Sequence, residues 1–258
     1  MKTLEVESRR TKEIIKHIGW SMFYKVGSVI ANFSLVPLTI NYLNTENYGI
    51  WLTLSSFISW FSFFDIGLGN GLRNKFAEAK AMGNFKDAQA FVSTAYFTVS
   101  SISLFLVITF LVMNQYINWT EIFNTSPSLR DELTLLLPII FVFFSLQLVF
   151  KLVVSIYQAN QHHSIQVKTQ FFTQLLSLLV IYFLIKTGQG SLLLFGCVFS
   201  ALPVLILIML NIYGFRYPLK LYKPRYSFWK NEYFKEITEL GFKFFILQAA
   251  SLVLFSTD

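Results

Sequence analysis

A chain of 258 residues that is 54% hydrophobic, 18% aromatic and only 14% charged lies far from the roughly 25% charged composition of soluble domains, which excludes an ordinary water-soluble fold. Its 21 Lys and Arg against 14 Asp and Glu give a net charge of +7. The cations fall between apolar runs, so the charge marks topology and lipid headgroup contact and not nucleic-acid binding.

Residues 1–17 form a polar, basic segment. The apolar run after His17 is too long for the core of a cleaved signal peptide, and no small-x-small site ends it, so it is expected to stay as a first helix. Runs of spanning length occupy about 18–40, 48–69, 89–113, 132–157, 168–185, 191–214 and 241–258, each near the roughly 20 residues that cross the hydrocarbon. They are continuous, without the period-two alternation of an outer-membrane barrel. The expected fold class is an all-α polytopic membrane protein: a six-helix lobe over 18–214, a cytoplasmic basic and aromatic linker over 215–240, and a seventh helix over 241–258 that opens a second lobe.

With a cytoplasmic N-terminus, the inner segments hold 17 of the 21 Lys and Arg, the outer loops hold Arg130 and Lys186, and Lys25 and Lys151 fall within spans. Every loop then obeys the positive-inside rule. The outer loops, "NYLNTEN" at 41–47 the first of them, are short, and the inner stretch 71–88 is expected to form a short interfacial helix and a turn at "MGN". Pro218 and Pro224 interrupt the linker, whose Tyr, Trp and Lys side chains suit the headgroup layer. A shift of 222 residues aligns Gly19, Trp20, Phe23, Phe33 and Ser34 with Gly241, Phe242, Phe245, Phe255 and Ser256, as expected if the seventh helix begins a repeat.

Polar residues inside the runs are the candidates for chemistry. Asp65 sits among Phe, Ile and Leu, where a carboxylate facing lipid is strongly unfavourable. Ser21, Lys25, Ser28 and Asn32 share one helix face. Gln147, Lys151, Ser155 and Gln158 form a second stripe, and Gln166, Gln170, Gln174 and Ser177 a third. Two readings remain open: hydrogen bonds that glue helices together with a snorkelling Lys25, or a wet cavity whose cations attract an anion. The "GLGNG" at 67–71 is followed by Leu72 where a G-x-G-x-x-G nucleotide loop needs its third glycine, and it lacks the βαβ setting, so close helix approach or a helix break is expected there. His162 and His163 lack carboxylate or Cys partners at ligand spacing and are read as exposed. Cys197, the only cysteine, excludes an intrachain disulfide and is read as a small packing residue. Asn118-Trp119-Thr120 and Asn124-Thr125-Ser126 match the glycosylation pattern, which matters only on a eukaryotic secretory route.

Through "PLTINYLNTENYGIWLTL" (37–54), "FFDIGLGNGLRNKFAEA" (63–79) and "FSTD" (255–258), the chain resembles the bacterial O-antigen and polysaccharide flippases (Wzx type) of the multidrug/oligosaccharidyl-lipid/polysaccharide exporter superfamily. The resemblance implies two six-helix lobes in the bacterial inner membrane, between which undecaprenyl-pyrophosphate-linked oligosaccharide crosses by alternating access. It implies no enzyme, cofactor or metal. Carried onto this chain, it makes Lys25 a headgroup contact with Asn32 on the same face, Lys151 a further cation, and Arg73 a residue of the cytoplasmic mouth. Asp65 and Asn70 then pair with such cations or gate the inner side. Family members have a complete second lobe, so this chain alone is expected not to translocate substrate. The partners implied are the lipid-linked oligosaccharide, membrane lipids, polysaccharide polymerase and assembly proteins, or a complementary C-terminal half. A multidrug or ion antiporter of the same superfamily would favour carboxylates over cations. A membrane-embedded polymerase or acyltransferase would show a large outer loop or an intramembrane His, and neither occurs. A non-catalytic partner of a polysaccharide-assembly complex is the third alternative.

Overall fold

The computed structural model describes the backbone of residues 2–188 and 190–255, and the side chains of 19–56, 67–188, 190–247 and 250. Its elements are α1 (Lys2–Ala81), α2 (Phe85–Asn114), α3 (Trp119–Ile122), α4 (Arg130–Ala159), α5 (Ile165–Thr187), α6 (Leu192–Arg216) and α7 (Asn231–Phe255), with 3-10 turns at Pro127–Leu129, Lys220–Tyr222 and Tyr226–Phe228. There is no strand among the described residues. Five described segments, Gly19–Ser56, Phe85–Asn114, Pro127–Ala159, Ile165–Thr187 and Leu192–Arg216, are helices long and apolar enough to cross a membrane. They contain the first, third, fourth, fifth and sixth of the seven expected runs. The second and seventh include residues whose side chains are not described.

Asn44 divides α1 into two arms. Its backbone, at φ 65° and ψ 170°, lies in a region sparsely occupied by residues other than glycine. Its side-chain Oδ1 accepts a hydrogen bond from Asn47 N at 2.9 Å, so it caps the arm that follows. The first arm delivers Leu35, Leu38, Tyr42 and Leu43 to an apolar cluster with Leu133, Leu136, Ile140, Ile181, Leu192 and Phe195. The second arm starts in that cluster at Ile50 and Leu54. It ends in another, where Leu72, Phe76 and Ala79 meet Val92, Tyr96, Leu152, Ile156, Leu207, Tyr222 and Ile237.

The short interfacial helix expected within 71–88 is instead the last turns of α1. Helix formers continue through Ala81, and the chain turns at Gly83, whose φ of +74° suits the residue that follows a helix end. Asn84 then caps α2, its Oδ1 accepting from Asp87 N at 3.3 Å.

The stretch between α6 and α7 is a strap along α2. Gln89 Nε2 donates to the carbonyl of Lys223 at 2.8 Å, Arg225 N donates to Ser93 Oγ at 3.1 Å, and Lys230 N donates to Thr94 Oγ1 at 3.1 Å. Trp229 Nε1 donates to Thr98 Oγ1 at 3.2 Å. Tyr222 meets the ring of Phe76 edge-on at 4.8 Å.

Beyond the strap, α7 packs on the second arm of α1. Gly67 and Gly71 of "GLGNG" make this crossing within a continuous helix, so the close-approach reading holds and the helix-break reading does not. Lys75 Nζ lies 2.9 Å from Glu236 and 3.3 Å from Glu78 beside it. The hydrogen bond to Glu236 is the main cause holding the Lys75 ammonium above its ordinary pKa. A lysine whose pKa is raised by folding stabilises the fold below its unfolded value, about 10.4, and loses that contribution as pH rises through the folded value. As pH rises above about 10.4 the parent is therefore expected to lose thermal stability faster than Lys75→Gln; parallel curves there would remove the pair from the crossing.

Candidate functional site

The polar stripes of α1 and α5 meet. Ser28 Oγ donates to Gln174 Oε1, and the two helices approach so closely that a Cβ at Gly27 would stand 2.6 Å from the ring of Phe171. Tyr24 packs edge-on against Phe171 at 5.4 Å, and the Lys168 ammonium stands 5.6 Å from the Tyr24 ring centroid. At one end of the seam Gln158 Nε2 donates to Gln166 Oε1 at 2.8 Å, joining α4 to α5. Part of the polarity in these stripes is thus used as helix-to-helix hydrogen bonding.

Lys25 and Asn32 fall outside that pairing. They lie three residues before and four after Ser28, and both are exposed along the edge of the α1–α5 seam. Asn70 and Arg73, both half-buried, flank Gly71 where the second arm of α1 meets α7. Lys151, also half-buried, is on α4 between Leu148 and Leu152, which share an apolar cluster with Leu68 and Leu72. Asn70 and Lys151 are each engaged by neighbours. The side chain of Asp65 lies outside the described residues. The expected residues therefore form two groups: Lys25 and Asn32 on the α1–α5 edge, and Asn70, Arg73 and Lys151 on helices joined by the second apolar cluster.

Sequence reasoning did not find the buried joint at Asn211. Its Nδ2 donates to the carbonyls of Phe150 at 2.8 Å and Leu207 at 2.7 Å, and its Oδ1 accepts from Tyr96 OH at 2.6 Å. One amide in the long apolar run of α6 was the available signal, since such a residue must find partners. Glu132 was missed too: its carboxylate accepts from Leu193 N at 2.7 Å and serves the start of α6. His162 and His163 are exposed, as expected, and no group of three or more His, Cys, Asp or Glu suited to a metal occurs among the described residues.

The two ends of the bundle differ in charge. One end bears Arg73, Lys75, Lys80, Lys86, Lys168, Arg216, the strap cations, Lys235 and Lys243 against Glu78, Asp87, Glu232, Glu236 and Glu239; the other bears Glu46, Glu121, Asp131 and Glu132 against Arg130 and Lys186. Helices of spanning length, with polar groups paired between them, define an all-helical polytopic membrane protein. No family model matches this chain, and no solved structure matches it. A protein of Yersinia pseudotuberculosis named "Putative O-antigen export protein" is 29% identical to it over 108 residues. The matched stretch covers 42% of this chain and 24% of that protein's length.

Proposed function

We propose that this chain belongs to an exporter of surface polysaccharide that moves undecaprenyl-pyrophosphate-linked oligosaccharide across the bacterial inner membrane. The likeness to the Yersinia protein carries this reading. The exposed Lys25, near the start of the first candidate span, supports it, because a cation there suits a pyrophosphate headgroup. In this reading the six-helix lobe supplies one wall of the path and α7 begins the other. Lys25 and Asn32 contact the headgroup, Lys151 and Arg73 extend the cationic track, and Asp65 and Asn70 hold or gate those cations. The N-terminus is cytoplasmic, in keeping with the excess of Lys and Arg at one end of the bundle.

The test is made in the strain that carries this gene. A charged hydrogen bond of about 1.5 kcal/mol corresponds to roughly tenfold, so Lys25→Ala is expected to lower surface polysaccharide about tenfold at unchanged protein level, while Lys25→Arg keeps most of it. Lipid-linked oligosaccharide should accumulate on the inner leaflet. Normal polysaccharide in the Lys25→Ala strain removes Lys25 from the mechanism. Normal polysaccharide on deletion of the gene, with a changed drug tolerance, replaces the export reading by the antiporter.

A further inference from the structure

Residues 216–230 carry five cations, Arg216, Lys220, Lys223, Arg225 and Lys230, and no carboxylate. Their backbone is held to α2 through Gln89, Ser93 and Thr94, so the outward side chains are presented at fixed places. Leu219 and Tyr222 turn inward, at 2% and 5% exposure. Lys220, Lys223 and Arg225 turn outward, beside Leu221 and Tyr226 at 71% and 74% exposure. Lys230 is set apart, its ammonium 3.3 Å from Tyr233 OH and 3.9 Å from Asp87. A strap facing bulk water gains nothing from an exposed leucine and tyrosine, and a strap facing acyl chains does not hold bare cations. Only the headgroup layer suits both, since aromatic rings settle there and Lys and Arg meet lipid phosphate.

The geometry points to the strap as a docking surface for anionic phospholipid, with Lys220, Lys223 and Arg225 on the headgroup phosphates and Leu221 and Tyr226 entering the upper acyl region beside them. This assignment stands apart from the export reading, because it uses none of the residues given a role in transport. It ties the charge of the membrane to the depth of the corner where α2 meets α7.

The test uses the whole 258-residue chain in mixed micelles of phosphatidylglycerol and phosphatidylcholine, with retained lipid read by native mass spectrometry. A cation near an anionic surface changes binding about fivefold, so three acting together give a preference for phosphatidylglycerol of up to about a hundredfold. Lys220→Gln/Lys223→Gln/Arg225→Gln is expected to bring that preference below about twofold, while Arg130→Gln/Lys186→Gln at the other end keeps it. On the unaltered chain, the preference should fall as salt rises from about 0.05 to 0.5 M and the screening length shrinks severalfold. That measurement decides the matter if the triple variant does not fold. Equal retention of the two lipids at low salt overturns the assignment, as does equal loss in both variants. So does inorganic phosphate that displaces phosphatidylglycerol better than sodium chloride of the same ionic strength, since that marks a discrete phosphate pocket.

Discussion

Gly71→Leu is expected to part α7 from the second arm of α1. A Cβ at position 71 would stand 2.2 Å from the carbonyl oxygen of Ile237 and 3.2 Å from its Cγ2. One turn earlier, a Cβ on Gly67 would stand 3.0 Å from the carbonyl oxygen of Gly241, and a Cβ on Gly241 would stand 2.3 Å from that of Gly67. Gly67 and Gly71 are four residues apart, and so are Ile237 and Gly241, which is the spacing of a small-residue crossing in a membrane bundle. The atoms in the way are backbone, so no rotamer change makes room and the helices themselves must move. Overpacking of this kind costs about 1–3 kcal/mol, or several degrees of melting temperature at roughly 2–4 °C per kcal/mol. Gly49→Leu is the control, because a Cβ there meets nothing within 4 Å. In a Cys197→Ser background, cysteines placed at Lys75 and Glu236 should crosslink in the parent and fail to do so with Gly71→Leu. Parent-like melting together with an intact crosslink would show that the helices do not approach at Gly71 as closely as 2.2 Å from a Cβ to the Ile237 carbonyl oxygen.

Helical class was legible because length and continuity are properties of each run by itself. What a run faces is not. The period of Ser21, Lys25, Ser28 and Asn32 marks a polar face; it says nothing of the Gln174 that meets Ser28 or of the exposure of Lys25 and Asn32 beside it. Loops were misjudged for a related reason. "NYLNTEN" at 41–47 reads as a loop, yet only Asn44 leaves helical geometry, since its own side chain supplies the cap that a longer loop would otherwise provide. The strap was the hardest to foresee. Pro218 and Pro224 announced that no long helix runs there. Gln89, Ser93, Thr94 and Thr98, however, look like ordinary small polar residues at the end of a span until the chain returns more than a hundred residues later to bond them.

The same logic separates glue from exposed charge. Ser28 with Gln174 and Gln158 with Gln166 satisfy one another between helices, so replacing any of them by an apolar residue tests packing and not substrate binding. Lys25 and Asn32 remain exposed on the seam edge, which is why the test of export falls on Lys25.

Asn211→Leu is expected to destabilise the bundle by about 2 kcal/mol, because three hydrogen bonds of one amide join α2, α4 and α6. The losses are unequal. The carbonyls of Phe150 and Leu207 lie inside helices and keep the partners of their own ladders, whereas the buried Tyr96 hydroxyl bonds, among the described residues, to the Asn211 Oδ1. Interhelical hydrogen bonds in a membrane protein average about 0.6 kcal/mol and reach about 1.7. A buried hydroxyl left without a partner costs about 1–3 kcal/mol, while removing both partners together is close to neutral. Tyr96→Phe should therefore restore much of the stability lost in Asn211→Leu, although it weakens the parent when made alone. A double-mutant cycle read by thermal melting in detergent measures that coupling. A coupling near zero would mean that Tyr96 finds another partner once the amide is gone, and that the joint between the three helices rests on their apolar packing instead.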